Sequence, residues 1–264
     1  MRAIRVGIDA VGVVAPGLPN WDEALPVLCG QRPYQAEALA PPSPASLPPA
    51  ERRRSSPTVR LALAVAEQAL QHTAIPAADM GMVFSSTEAS GVITHQLCEV
   101  LAGTREVSPT QFHNSVHNAP SGYYSIALGA RRGADSLCHG PWSFAAGLLD
   151  AAVRVAADES PVMYVCYDSP MPAPLSAHLP VPDGIAVALV LTPQRGAASL
   201  GAWEIAMRPG APADIWPPWM PATWQASASA LGFAALATLA APAGSVAEVT
   251  LPLSSQLGLR VLRC

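Results

Sequence analysis

Charge is scarce in this chain. Only 13% of its 264 residues are Asp, Glu, Lys or Arg, and the formal net charge is −4. No basic stripe interleaved with aromatics occurs, so a nucleic-acid-binding surface is not expected. The cysteines are few and scattered. Cys29, Cys98, Cys138, Cys166 and Cys264 are odd in number and form no CxxC, which speaks against a disulfide framework and a zinc site. No apolar run reaches the roughly 20 residues that a membrane span needs. The longest, 226–241, is interrupted by Ser227, Ser229 and Thr238 and reads as a buried helix. No signal peptide is expected either, because Asp9 breaks the short apolar run after Arg2 and Arg5 and no cleavage site follows. A reduced, cytoplasmic protein without cofactor, metal or membrane partner is the expectation.

Apolar residues are not scarce, at half of the sequence. Low charge with that content implies buried helices or a large surface covered by another subunit. The length suffices for one large or two small domains. Residues 4–14 are rich in β-branched side chains and end at Pro16-Gly17, which predicts a strand and a turn. Asn20 then caps a short helix through Trp21, Ala24, Leu25 and Leu28 that stops at Gly30. Seven prolines from Pro33 to Pro57 predict a surface loop closed by Arg52-Arg53-Arg54, a solvated run or a dock for an acidic partner. Ser56-Pro57 starts a helix with Val59, Leu63, Ala66 and Leu70 on one face. Strands are predicted at 80–85, 134–139, 161–167 and 185–191, with a helix around Ile93, Leu97 and Leu101. Strands alternating with helices predict a mostly parallel, covered α/β sheet. After Pro193 come a strand in 200–207, a loop from Pro209 to Pro221, a helix near 226–240 and strands at 246–251 and 257–262.

The segment 113–157 is the most informative. A short strand, Ala134–His139, runs into the turn Gly140-Pro141-Trp142-Ser143 and then into an apolar helix. Such a turn presents a nucleophile in several enzyme folds, because helix N-terminal N–H groups stabilise negative charge there. Pro141 stands at its apex, with no nucleophilic side chain and no N–H. The helix carries Phe144, Leu148, Ala152 and Val155 on one face and is apolar nearly all round, which predicts burial on several sides. Ser143 reads as its cap, or else as a nucleophile. Cys138 reads as a small core residue, or as a nucleophile beside His139, although neighbouring strand residues point to opposite faces. His113 and His117 lie four apart, on one face if helical, but with Asn114 and Asn118 they make an incomplete ligand set.

These residues resemble the β-ketoacyl synthase family. The resemblance runs over roughly residues 2–193. IRVGIDAVGVVAPG with Trp21-x-x-Ala24-Leu25-x-x-Leu28-x-Gly30 is similar to the family's first strand and helix. Asn118-Ala-Pro-Ser-Gly122 through Ile126 resembles its interface helix, and the spacing from Gly129 to Ser143 matches its run into the active-site cysteine. The resemblance implies a thiolase-like layered α/β fold, with an intact N-terminal half at 1–193 and a shortened C-terminal half at 194–264 packed on it as one unit. It puts Pro141 at the nucleophile position. The family's two histidine motifs are missing, since all six histidines precede residue 179. Nucleophile and electrostatic stabilisers are absent together. The implied role is a non-catalytic, chain-length-factor-like partner of an active ketosynthase, with transient contact to an acyl carrier protein. Phe112, Val116, Asn118 and Gly122 are its tunnel or interface candidates, and strand Ala134–His139 is expected to pair across a dimer.

Overall fold

The computed structural model describes residues 3–210, 212, 215–242 and 244–264, so part of the predicted 209–221 loop lies outside the described residues. Strand β1 is Ile4–Val14, followed by helices α1 (Trp21–Leu28), α2 (Pro49–Arg54) and α3 (Pro57–Gln71). Then come β2 (Gly81–Ser86), α4 (Gly91–Ala102), α5 (Pro109–Ser115), α6 (Ala119–Leu128), β3 (Ala134–Cys138) and α7 (Ser143–Asp158). The rest is β4 (Val162–Asp168), β5 (Ile185–Thr192), β6 (Gly201–Pro209), α8 (Leu231–Ala240), β7 (Glu248–Pro252) and β8 (Leu257–Arg263).

All eight strands share one sheet in the order β3-β2-β4-β5-β1-β6-β8-β7. The predicted mostly parallel sheet needs correction. Only β2 with β3 and β2 with β4 are parallel; the other five pairings are antiparallel. Alternation with helices holds as far as β4, after which β5 returns without an intervening α-helix, and a strand joined that way runs back antiparallel.

The sheet is covered on both faces. One core holds Phe144, Leu148, Ala152 and Val155 of α7 with Phe233 and Leu236 of α8 and Trp21 of α1. The other holds Val59, Leu63 and Ala66 of α3 with Tyr124 of α6. A bulge between Ile8 and Ala10 lets β1 serve both layers. Val6 and Ile8 face the first core; past the extra residue the parity reverses, so Val11 and Val13 take that side and Ala10 faces α3. Gly12 is required there, because a Cβ would overlap the Val65 carbonyl of α3. Beyond β1, one face carries a cross-strand charge ladder: Arg5 and Arg260 both pair with Glu204, at 3.3 and 3.5 Å, and Arg260 also with Glu248 at 2.8 Å.

Local signals work where capping chemistry is explicit. Asn20 Oδ1 accepts from the Glu23 N–H at 2.9 Å, and Ser56 Oγ accepts from the Val59 N–H at 3.1 Å. Three expectations fail. The proline-rich stretch is not wholly irregular: Pro49 sits at the start of α2, where a missing N–H costs nothing. Of its arginines, Arg53 and the surface-paired Arg54 are exposed as expected, but Arg52 is half-buried and donates to Ser43 Oγ and the Leu47 carbonyl at 2.9 Å each. Helix α7 is buried on one broad face rather than all round, leaving Val153 43% exposed. Alanines on its outer side explain this, because they are apolar by type yet cost little in water.

Candidate functional site

Three strand ends meet at the site: those of β2, β3 and β4, all pointing the same way because these strands are parallel. Strand β3 ends at Cys138, one residue earlier than predicted, and His139 leaves the extended region. Gly140 adopts φ +55, a left-handed conformation that favours glycine. A single 3-10 turn, Gly140–Trp142, then leads into α7. Ser143 does not cap α7. Its Oγ accepts from the His139 N–H at 2.7 Å and donates to the Gly140 carbonyl at 2.8 Å, closing the elbow on itself. Trp142 holds the cap position without a side-chain bond, and Ser143 is fully buried, so its hydroxyl is neither a cap nor a reachable nucleophile. Pro141, at the apex, is exposed.

Cys138 is exposed rather than in the core, which corrects the sequence reading. A strand-end residue at a sheet edge has no layer above it. Its Sγ lies 3.6 Å from His117 Nδ1 and 3.7 Å from Ser86 Oγ. Although the residue as a whole is exposed, partial desolvation of the sulfur beside His117 and Ser86 pushes the thiol pKa up, and the Ser86 hydroxyl opposes this only in part. The group is therefore a thiol near neutral pH, whereas nucleophilic attack needs the thiolate.

Behind the elbow, Tyr164 Oη donates to the Phe144 carbonyl at 2.7 Å and shares a 3.0 Å hydrogen bond with Ser85 Oγ. Gly147 makes room for that ring. Asp168, at the end of β4, is 3% exposed. Its Oδ1 accepts from the Thr87 N–H at 2.7 Å. Its Oδ2 accepts from Ser227 Oγ at 2.6 Å, the Ser229 N–H at 2.9 Å and Ser229 Oγ at 3.0 Å. This carboxylate ties β4 and the loop after β2 to the turn Ala228–Ala230, which contacts both the elbow turn and α7. Nothing in the sequence signalled it. Asp168 follows a run of strand residues, and its donors lie 59 to 81 residues away.

The remaining candidates fall on α5, α6 and their junction, of which α6 packs beside β3. Phe112 of α5 is 64% exposed, Val116 just past α5 is 46% exposed, and Ile126 of α6 is 85% exposed. Asn118 and Gly122 line two neighbouring hollows. One, of about 480 Å³, is shared with Leu47, Arg54, Tyr123 and Ile126; the other is shared with Ser121, Ala134 and Ser136. Buried Asn114 anchors α5: its Nδ2 donates to the carbonyls of Arg54 and Thr110 at 3.1 and 2.9 Å. His113 and His117 are not brought together. Helix α5 ends at Ser115, His113 faces Tyr123 edge-on and His117 faces Cys138. Among the described residues no group of three metal-ligating side chains exists, and no helix is long and apolar enough to cross a membrane. Among the described residues strand β3 pairs only with β2, so its outer N–H and C=O groups stand open at the sheet edge.

Known proteins resemble this architecture along most of its length. A chain from the complex of the ketosynthase ApeO with its chain length factor ApeC, from Xenorhabdus doucetiae, superposes with a TM-score of 0.73 at 22% identity, over 98% of this chain and 99% of that one. The ishigamide ketosynthase/chain length factor gives 0.71 at 13% identity, over 98% of each chain. A type II polyketide synthase complex, AntDE:AntF, of an acyl carrier protein with its ketosynthase, gives 0.62 at 16% identity over 78% of this chain and 70% of that one. At these identities the likeness shows the thiolase-like ketosynthase fold. No curated protein sequence matches. The family model for the β-ketoacyl synthase N-terminal domain matches residues 29–213, more than half of the chain. By that match, and by the fold that carries it, the chain belongs to the β-ketoacyl synthase family.

Proposed function

We propose that this chain is a non-catalytic, chain-length-factor-like partner of an active β-ketoacyl–acyl carrier protein synthase, shaping its acyl tunnel in a cytoplasmic polyene, polyketide or fatty-acid-like pathway. The observation that carries the reading is the intact elbow with Pro141 at its apex. Gly140 and Ser143 hold the turn in shape, yet Pro141 at the apex offers neither a nucleophilic side chain nor a backbone N–H for acyl transfer. Residues 194–264 act as a reduced second half: they supply Ser227 and Ser229 to Asp168 and no histidine to the site.

A partner is expected to cover the β3 edge and helices α5 and α6. The open edge of β3 offers unpaired backbone groups, and Phe112, Val116 and Ile126 expose apolar side chains on α5, α6 and their junction. Small residues at Ser121, Gly122 and Ala134 allow close approach. The chain-length-factor complexes among the similar structures favour a ketosynthase as occupant, with an acyl carrier protein visiting the pair. Phe112 and Val116 then contribute to the tunnel end. A second reading, a live acyl-transfer or hydrolytic enzyme using Cys138, draws on the 3.6 Å contact with His117. The raised thiol pKa weighs against it. Co-expression with the cognate ketosynthase tests the proposal: native mass spectrometry should show a one-to-one complex. A soluble monomer that ignores the ketosynthase at micromolar concentration would refute it.

A further inference from the structure

A small, partly enclosed cavity lies between β4 and the α5–α6 junction, walled by Tyr167 of β4, His117, Val116, Ala119, Ser90 and Thr58. Its space for a water centre is about 10 Å³, enough for one water molecule. Most polar groups around it are already paired. Thr58 Oγ1 bonds Ser90 and Ser169 at 3.2 and 2.9 Å, Ser56 Oγ accepts from Val59, and Asn114 binds two carbonyls. Two groups are not. Tyr167 is fully buried and its Oη makes no hydrogen bond of good geometry, the Ser86 hydroxyl being near enough only to oppose the rise of its pKa; His117 Nε2 is likewise buried and unpartnered. Buried polar atoms are very seldom left unsatisfied, and each unsatisfied one is costly.

We propose that one ordered water binds in this cavity, bridging His117 Nε2 to Tyr167 Oη and thereby fixing the α5–α6 junction, and Val116 with it, against β4. As part of the proposed bridge, the Cys138 S–H, 3.6 Å from His117 Nδ1 and 3.7 Å from Ser86 Oγ, donates to the imidazole. The imidazole then carries its proton on Nε2 and donates to the water, whose oxygen also accepts from the Tyr167 hydroxyl. His117 and Tyr167 are positioning residues here: they hold Val116 in place without touching an acyl chain. The effect on products rests on the reading of Val116 as a length-setting residue; the water itself does not.

A high-resolution crystal structure of the ketosynthase complex should show one water within hydrogen-bond distance of both atoms, and ¹⁵N spectra should show His117 as the Nε2–H tautomer. Tyr167→Phe should erode that tautomer preference and shift products toward longer chains. A dry cavity or a direct Tyr167–Ser86 bond overturns the bridge, and an Nδ1–H tautomer overturns the hydrogen assignment within it. If Val116→Trp alters product length and Tyr167→Phe does not, the positioning role is overturned. If neither alters it in an intact complex, the length-setting reading fails, and the diffraction and NMR results still decide the water.

Discussion

Replacing Asp168 by alanine should cost about 3–5 kcal/mol of unfolding free energy, a large share of the roughly 5–15 kcal/mol that a domain has. The carboxylate takes four donors, and they are not equivalent. The Ser229 hydroxyl has a second acceptor in the Ile185 carbonyl at 2.9 Å, and Ser227 can turn to Ser229 at 2.7 Å. The N–H groups of Thr87 and Ser229 have no alternative, and each buried donor left unpaired costs about 1–3 kcal/mol. A small cavity adds to this, and entering water gives part of it back. Asp168→Asn keeps one acceptor oxygen and turns an NH₂ group toward the other backbone donor, so its cost should be about half. Chemical denaturation gives the totals, and amide exchange locates them: the Thr87 and Ser229 amides and the start of α8 should lose protection first. The reasoning is wrong if Asp168→Ala costs less than about 1 kcal/mol with Ser229 still protected.

Gly147→Ala should destabilise although alanine is the better helix former. The gain is about 1 kcal/mol, but the new Cβ would lie 2.6 Å from Tyr164 Cε2 and 2.9 Å from Ser85 Oγ. Displacing a buried ring and its hydrogen bonds costs more, about 2–4 kcal/mol, and a rise in denaturation midpoint would contradict this. Cys138 in the isolated chain should be alkylated by iodoacetamide more slowly than glutathione at pH 8. A raised thiol pKa leaves less thiolate at a given pH, so the rate should still be climbing above pH 9; a plateau below pH 8 would refute it. Val116→Trp should shorten the products of the ketosynthase complex, and unchanged lengths with the complex intact would move the tunnel end elsewhere.

Elements with their own chemical punctuation were legible in the sequence. Asn20 and Ser56 announced α1 and α3, and continuous β-branched runs announced β1, β4 and β5, which are buried along most of their length. Strand direction was not legible, because the return from β4 to β5 uses a loop whose path depends on tertiary packing. The elbow could be placed from Gly140, Pro141 and the strand before it, but the partner of Ser143 could not. A hydroxyl at a helix start serves equally as a cap or as a bridge to the preceding turn, and only the left-handed Gly140 selects the second. The pairing of Cys138 with His117 rather than His139 was hidden for a related reason: alternation along a strand says which neighbour is turned away, not which distant residue arrives. Asp168 and its serines join segments far apart in sequence, where no local periodicity reports them.

If Pro141 stands where the nucleophile would be, the acyl chain should never be carried by this chain. Intact-mass analysis of the ketosynthase complex, trapped during turnover with acyl carrier protein substrate, tests it most directly. An acyl adduct is expected on the ketosynthase chain and an unmodified mass for this one. A thioester on this chain, lost in Cys138→Ala together with condensing activity, would contradict it.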